Sequence, residues 1–191
     1  MQLMCRLTRV SILISVMACL SSCLAVVVAG AATGLIVYDK RSLSTMEKDV
    51  RIFHRVNHVM TTQPTLKDAH ISIVSFNQIV LLVGQTPKAS QRRLAEKLTY
   101  TIPDVKRVYN QLVITKPTNF STKAQDSWIT SQTRSSLMQK KGLKSGSIRV
   151  ITEQSVVYLM GHVTREQALL ASDAARHIAG VKKVVRVFQY R

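Results

Sequence analysis

The sequence predicts an α+β fold: two small αββαβ units, each with a three-stranded mixed sheet and two helices. Three observations point there. One stretch of chain recurs at a constant spacing. Within each copy the apolar pattern switches between helical and strand periods. Finally, 46% of the 191 residues are apolar, with only 7 Gly and 4 Pro, which excludes a disordered polybasic chain.

The recurrence comes first, because a fixed period decides the architecture. Residues 71–84 (ISIVSFNQIVLLVG) align with 148–161 (IRVITEQSVVYLMG) at an offset of 77. The match extends back through Leu66-Lys67 and Leu143-Lys144 to Asp49 and Asp126. After a one-residue gap it continues from 102–108 (IPDVKRV) to 178–184 (IAGVKKV). The units therefore occupy 46–116 and 121–191, joined by a polar, Pro-punctuated linker at 117–120.

In the first unit, Ile52, Val56, Val59 and Met60 form the stripe of an amphipathic helix. Ile71–Phe76 is rich in β-branched residues and reads as a strand. Asn77-Gln78 is the turn of a tight hairpin, and Ile79–Val83 returns. Gly84 is expected to end that strand, where a Cβ would crowd the helix. Pro87 opens the second helix in its first turn, and Leu94, Leu98 and Ile102 mark the buried side. Val105–Ile114 supplies the last strand. In the second unit the elements are a helix through Ile129 and Leu137, strands at 147–152 and 156–160, a helix at 166–178 and a strand at 184–190. The helix between strands two and three is a crossover, so those strands run parallel. A unit of about 70 residues has a marginal core, so the two are expected to lean on each other.

The N-terminus sets the compartment. Arg6 and Arg9 precede an apolar stretch, Val10–Leu20, and then Leu20-Ser21-Ser22-Cys23. That order is a secretory signal peptide over 1–22. Leu-Ser-Ser-Cys resembles the bacterial lipobox, which implies cleavage before Cys23 and lipidation (diacylglycerol, palmitate) of its thiol. Residues 23–45 are then a lipidated N-terminus and tether. Cys19 is a poorer second candidate because Met17 is bulky. A competing reading remains open: no charge occurs between Val10 and Tyr38, long enough for an uncleaved spanning helix. Either way the body is exported. Residue 24 is Leu, not Asp, which by resemblance to bacterial sorting rules favours the outer membrane. All three cysteines lie at 5, 19 and 23, leaving the body no disulfide, zinc thiolate or cysteine nucleophile.

The 27 Lys plus Arg against 10 Asp plus Glu give a net charge of +17. Such a surplus must face something anionic. Export argues against nucleic acid and favours a phospholipid or lipopolysaccharide surface or an acidic polymer. Both units carry the surplus, the second slightly more.

With these residues in view, a family resemblance emerges. Val80-Leu81-Leu82-Val83-Gly84 and Val157-Tyr158-Leu159-Met160-Gly161, each followed by a helix and a Val-Lys-Arg/Lys-Val strand, look like the BON domain. Two such domains behind a lipobox resemble the dual BON-domain outer-membrane lipoproteins of Gram-negative bacteria. The nearest likeness is to the division- and outer-membrane-stress-associated lipid-binding protein family. The shorter stretches Val108-Tyr109-Asn110 and Asp126-Ser127-Trp128-Ile129-Thr130 agree with it. The resemblance implies an anchor on the periplasmic face of the outer membrane, anionic phospholipid binding by the second domain, placement at division sites and support of envelope integrity.

The repeat also suggests a site without the family. Trp128, the one Trp, falls one residue off the core stripe, about 100° around its helix. Its counterpart in the first unit is Arg51, so the position should be solvent-accessible. Its neighbours at i+3, i+4 and i+7 are Ser131, Gln132 and Ser135, all uncharged. An interfacial Trp suits a membrane surface. Arg134, Lys140, Lys141 and Lys144 lie nearby in sequence and could meet lipid phosphates. The blander reading has Trp128 folded over its own core or against the first domain.

His54 and His58 have the spacing of a metal pair but lie opposite the core stripe without a third ligand. They read as surface histidines. His70, His162 and His177 are scattered, and the acids offer no pair for acid/base work. No phosphate-binding glycine loop occurs. Tyr100, Tyr109, Tyr158 and Tyr190 read as packing residues. The expectation is a non-enzymatic module without cofactor or metal. Its partners are an anionic phospholipid membrane and possible envelope or division proteins. The alternative is a structural adaptor that binds an envelope protein or peptidoglycan.

Overall fold

The computed structural model describes residues 42–117 and 119–191. The signal peptide, Cys23, the uncleaved-helix reading and nearly all of the tether lie outside the described residues. The first half contains α1 (Leu43–Thr62), β1 (His70–Phe76), β2 (Ile79–Thr86), α2 (Ala89–Tyr100) and β3 (Arg107–Ile114). The second contains α3 (Phe120–Gln139), β4 (Ile148–Glu153), β5 (Val156–Val163), α4 (Arg165–Arg176) and β6 (Lys183–Tyr190). Each half is thus an αββαβ unit with one three-stranded sheet, ordered β1-β2-β3 or β4-β5-β6. The hairpin pair is antiparallel and the crossover pair parallel, which makes both sheets mixed.

Local chemistry fixes the element ends. Ser42, Asn119 and Thr164 cap α1, α3 and α4 by accepting the backbone N–H three residues on. Pro87 lies just before the cap position of α2 rather than in its first turn, and α2 begins at Ala89. Both hairpin turns hold two residues at positive φ, Asn77-Gln78 and Gln154-Ser155, as a right-twisted two-residue loop requires. Only Asn among these four tolerates that region readily. The same buried carboxylate offsets the strain in each half. Asp49 on α1 accepts the Asn77 and Gln78 N–H groups at 2.8 and 2.7 Å. Asp126 on α3 accepts those of Gln154 and Ser155 at 2.8 Å each.

Gly84 lies inside β2, which runs on to Thr86. A Cβ there would come within 2.1 Å of the His70 carbonyl oxygen on β1, and one at Gly161 within 2.3 Å of the Ser147 oxygen. The crowding partner is therefore the neighbouring chain of the hairpin, not the helix.

Each half buries its own core between helices and sheet. The first is built on Ile52, Val56, Val80, Leu82 and Leu112; the second on Ile129, Leu137, Val157, Leu159 and Phe188. A third cluster joins the halves: Phe76, Ile79, Leu81 and Val83 pack with Tyr158, Met160 and Val187. Successive strand residues point to opposite faces, so these are the sheet faces turned away from the helices. The two sheets pack against each other, and residues 39–191 form one compact unit. Polar contacts edge this layer. The Gln85 amide donates to Glu153 at 2.6 Å, and the Asn77 amide donates to Gln189 at 3.3 Å. Burial, with Glu153 adding, pushes the Tyr158 phenol above its usual range.

Candidate functional site

Helices α1 and α3 are both 20 residues long, and the repeat offset of 77 superposes them position for position. Their buried stripes correspond: Asp49, Ile52, Val56 and Met60 in α1, Asp126, Ile129, Thr133 and Leu137 in α3. Their outer faces do not. In α1 that face carries Glu47, Arg51, His54, Arg55 and His58, all exposed, with Arg51 gripping Glu47 at 2.6 Å. In α3 the same places hold Ala124, Trp128, Ser131, Gln132 and Ser135, without a charge.

Trp128 is 50% exposed. It is neither tucked over its own core nor covered by the first half. Helical spacing brings Phe120 and Met138 to one border of the same face, and both are exposed. Sequence reading passed over these two, although their angular position was available. A half-exposed indole among small uncharged side chains can enter an apolar–polar boundary at little desolvation cost.

The basic residues named from sequence scatter. Arg134 lies on the β4 side of α3 and donates to the Val150 carbonyl at 3.3 Å. Lys140 pairs with Asp173 on α4 at 3.1 Å, which Arg176 also grips, at 2.7 Å. The Lys140 hydrogen bond, opposed by some desolvation and helped by Arg176 and His177, holds the Asp173 carboxyl below its ordinary range. Lys141 and Lys144 are exposed beyond the end of α3, and no carboxylate among the described residues pairs with either. Ser131, Gln132 and Ser135 share the Trp128 face; the four cations flank it or lie past its C-terminal end.

Of the other candidates, His54 and His58 are exposed on α1, and no metal-holding group of three or more His, Cys, Asp or Glu occurs among the described residues. Tyr158 and Tyr109 pack in the layer between the sheets. Tyr100 and Tyr190 are half exposed instead, because they end an outer helix and an edge strand. Among the described residues no helix is long and apolar enough to cross a membrane.

Comparison with known proteins agrees with the duplication. The family model described as the BON domain matches residues 48–116 and again 125–191. The chain is 33% identical over 186 residues to outer membrane lipoprotein DolP of Haemophilus influenzae, covering 96% of each protein. It is 33% identical over 153 residues to a 21 kDa hemolysin of Actinobacillus pleuropneumoniae, covering 80% of this chain and 79% of that one. Among solved structures, CdsD, a structural protein of the type III secretion system of Chlamydia trachomatis, aligns with 74% of this chain and 92% of its own at 12% identity. The TM-score of 0.31 is too low to carry a functional reading.

Proposed function

The chain belongs to the BON-domain family, with two copies in tandem, and from that premise we propose that it is a non-enzymatic, lipid-anchored protein on the periplasmic face of the outer membrane. Its likeness to an outer membrane lipoprotein over almost its whole length and the lipobox ending in Cys23 support the anchor. In this reading the second BON domain binds anionic phospholipid, and the protein supports envelope integrity at division sites.

One observation carries the binding site: Trp128 stands half exposed on an uncharged helix face whose twin in the first domain is charged. Trp128 enters the head-group region, and Ser131, Gln132 and Ser135 lie flat against it. Lys141 and Lys144, with Arg134 and Lys140 at shorter reach, meet lipid phosphates at about 1 kcal/mol each. The test is co-sedimentation of the unanchored unit 39–191 with vesicles of mixed phosphatidylglycerol and phosphatidylcholine. All three apolar cores lie within that unit, whereas the second domain alone would bare its sheet. Trp128→Glu is expected to weaken binding at least about tenfold, from lost apolar burial and added repulsion. Unchanged binding removes Trp128 from the site. Rising salt reads out the electrostatic share.

A second reading, an adaptor for an envelope protein or peptidoglycan, is favoured by α1. Leu43, Val50 and Phe53 form an exposed apolar strip on its β1 side. Loss of a protein partner in Val50→Glu/Phe53→Glu, with vesicle binding intact, would support it.

A further inference from the structure

The two domains also differ where the second helix of each meets its last strand, at an offset of 76 after the one-residue gap. In the first domain Asn110 on β3 fills this place. Its amide donates to the Arg92 carbonyl at 2.9 Å and to Glu96 at 3.0 Å, and Arg92 donates back to the Asn110 carbonyl at 3.4 Å. That network plugs the space between α2 and β3. In the second domain Ala168, Ser172 and Arg186 stand where the first has Arg92, Glu96 and Asn110. The Ser172 hydroxyl turns inward to the Ala168 carbonyl at 2.7 Å, so it does not rebuild the plug. An open groove of about 570 Å³ results between α4 and β6.

Its walls combine two chemistries. Leu169, Val181 and Val184 give an apolar floor, and Leu169 is 61% exposed. Arg176, Lys182 and Arg186 supply three cations against one carboxylate, Asp173. That carboxylate is already held by Lys140 and Arg176. No carboxylate among the described residues pairs with Lys182 or Arg186. Lys182 and Arg186 flank the concave wall and concentrate positive potential there, whereas Lys183, paired in register with Val156, lies on the sheet face turned toward the other half. A lysine and a guanidinium beside an apolar floor suit a phosphate ester with a short organic body.

We infer that this α4–β6 groove is a second anion site, separate from the Trp128 face, that binds the phosphate ester of a glycerophosphate group through Lys182 and Arg186, with the glycerol lying over Leu169 and Val184. The ester can come from a membrane phospholipid head group or from a soluble glycerophosphate.

The test uses unit 39–191 with two probes, sn-glycerol 3-phosphate followed by calorimetry and phosphatidylglycerol vesicles followed by co-sedimentation. Ser172→Glu/Arg186→Asn installs the plug of the first domain. Lys182→Glu, an exposed rim position, gives an independent variant if the double change unfolds. Loss of about tenfold or more in binding of both probes supports the site with a membrane source. Loss for glycerol 3-phosphate alone supports it with a soluble source. Loss for vesicles alone supports a head group that is presented only in a bilayer. Trp128→Glu should leave glycerol 3-phosphate binding unchanged, which separates this site from the proposed lipid face: failure of either leaves the other standing. Unchanged binding of both probes in both variants overturns the inference. So does a wild-type groove that takes polyglutamate as tightly as the phosphate probes, which would mark a site for acidic protein.

Discussion

Helices α1 and α3 are the same element twice, alike on their inner faces and unlike on their outer ones. Both are capped by a polar side chain, hold a buried Asp on their hairpin turn, and pack one stripe against a sheet. Inward-facing residues stayed alike because the sheet and the turn dictate them. Outward-facing residues had no such constraint. In α1 they became Glu47, Arg51 and Arg55; in α3 they became Ala124, Trp128 and Gln132. A duplicated fold thus supplies its own control: what is shared supports the structure, and what differs is free to do something else.

The first way to break this contrast is to attack what is shared. Gly84→Ala and Gly161→Ala should each cost about 3 kcal/mol or more, because the new Cβ meets main-chain oxygen that can move only with its strand. Urea unfolding should show both halves failing alike. A domain that tolerates the change would end the claim that the two hairpins close in the same way. Next in size is an exchange of outer faces. Glu47→Ala/Arg51→Trp/Arg55→Gln in the first domain should restore about tenfold of the vesicle affinity that Trp128→Glu removes. No recovery would mean that the surroundings of Trp128, beyond its own helix face, carry the site.

Smaller effects sharpen the comparison within the cores. Thr133 occupies the place of Val56, and its hydroxyl is buried without a hydrogen-bond partner. Thr133→Val should therefore raise stability by about 1 kcal/mol, and Val56→Thr should lower it by a similar amount. Equal midpoints in thermal melts would show that the hydroxyl is satisfied in solution. The smallest effect is the pH dependence of the pair that only the second domain has. Asp173 is held below its ordinary 3.8, chiefly by the hydrogen bond from Lys140. A depressed carboxyl contributes stability above that ordinary value and loses it as pH falls through the lower folded one. The gap between wild type and Asp173→Asn should thus be present at neutral pH, small because the pair is exposed, and closed in acid. A gap unchanged down to the acid limit would exclude the ion pair as its source.

The fold was legible because repetition, helical stripes and a strand–turn–strand pattern all agreed. Trp128 was legible for a related reason: its mismatch with Arg51 marked an outward position. Arg134 and Lys140 were harder. Sequence proximity counted them with Trp128, but a long side chain goes where its hydrogen bond is, here to Val150 and Asp173. The layer between the sheets left a trace that could have been read. Ile79–Val83 and Val157–Met160 are continuous apolar runs rather than alternating ones, the mark of strands buried on both faces. Asp49 and Asp126 showed in the repeat as matched acids, yet their role depends on a turn geometry that only folding reveals.

The layer between the sheets bears on how a protein of this form could have arisen. A single unit carrying Phe76, Leu81 and Val83 on its outer sheet face would have been an incomplete molecule, stable only when it met a copy of itself. Fusing two copies through a few linker residues replaces that bimolecular encounter with an intramolecular one, at an effective concentration no cell supplies. Once the partner is guaranteed, the copies need no longer be identical, and the outer face of one can change while the shared sheet layer keeps the pair intact.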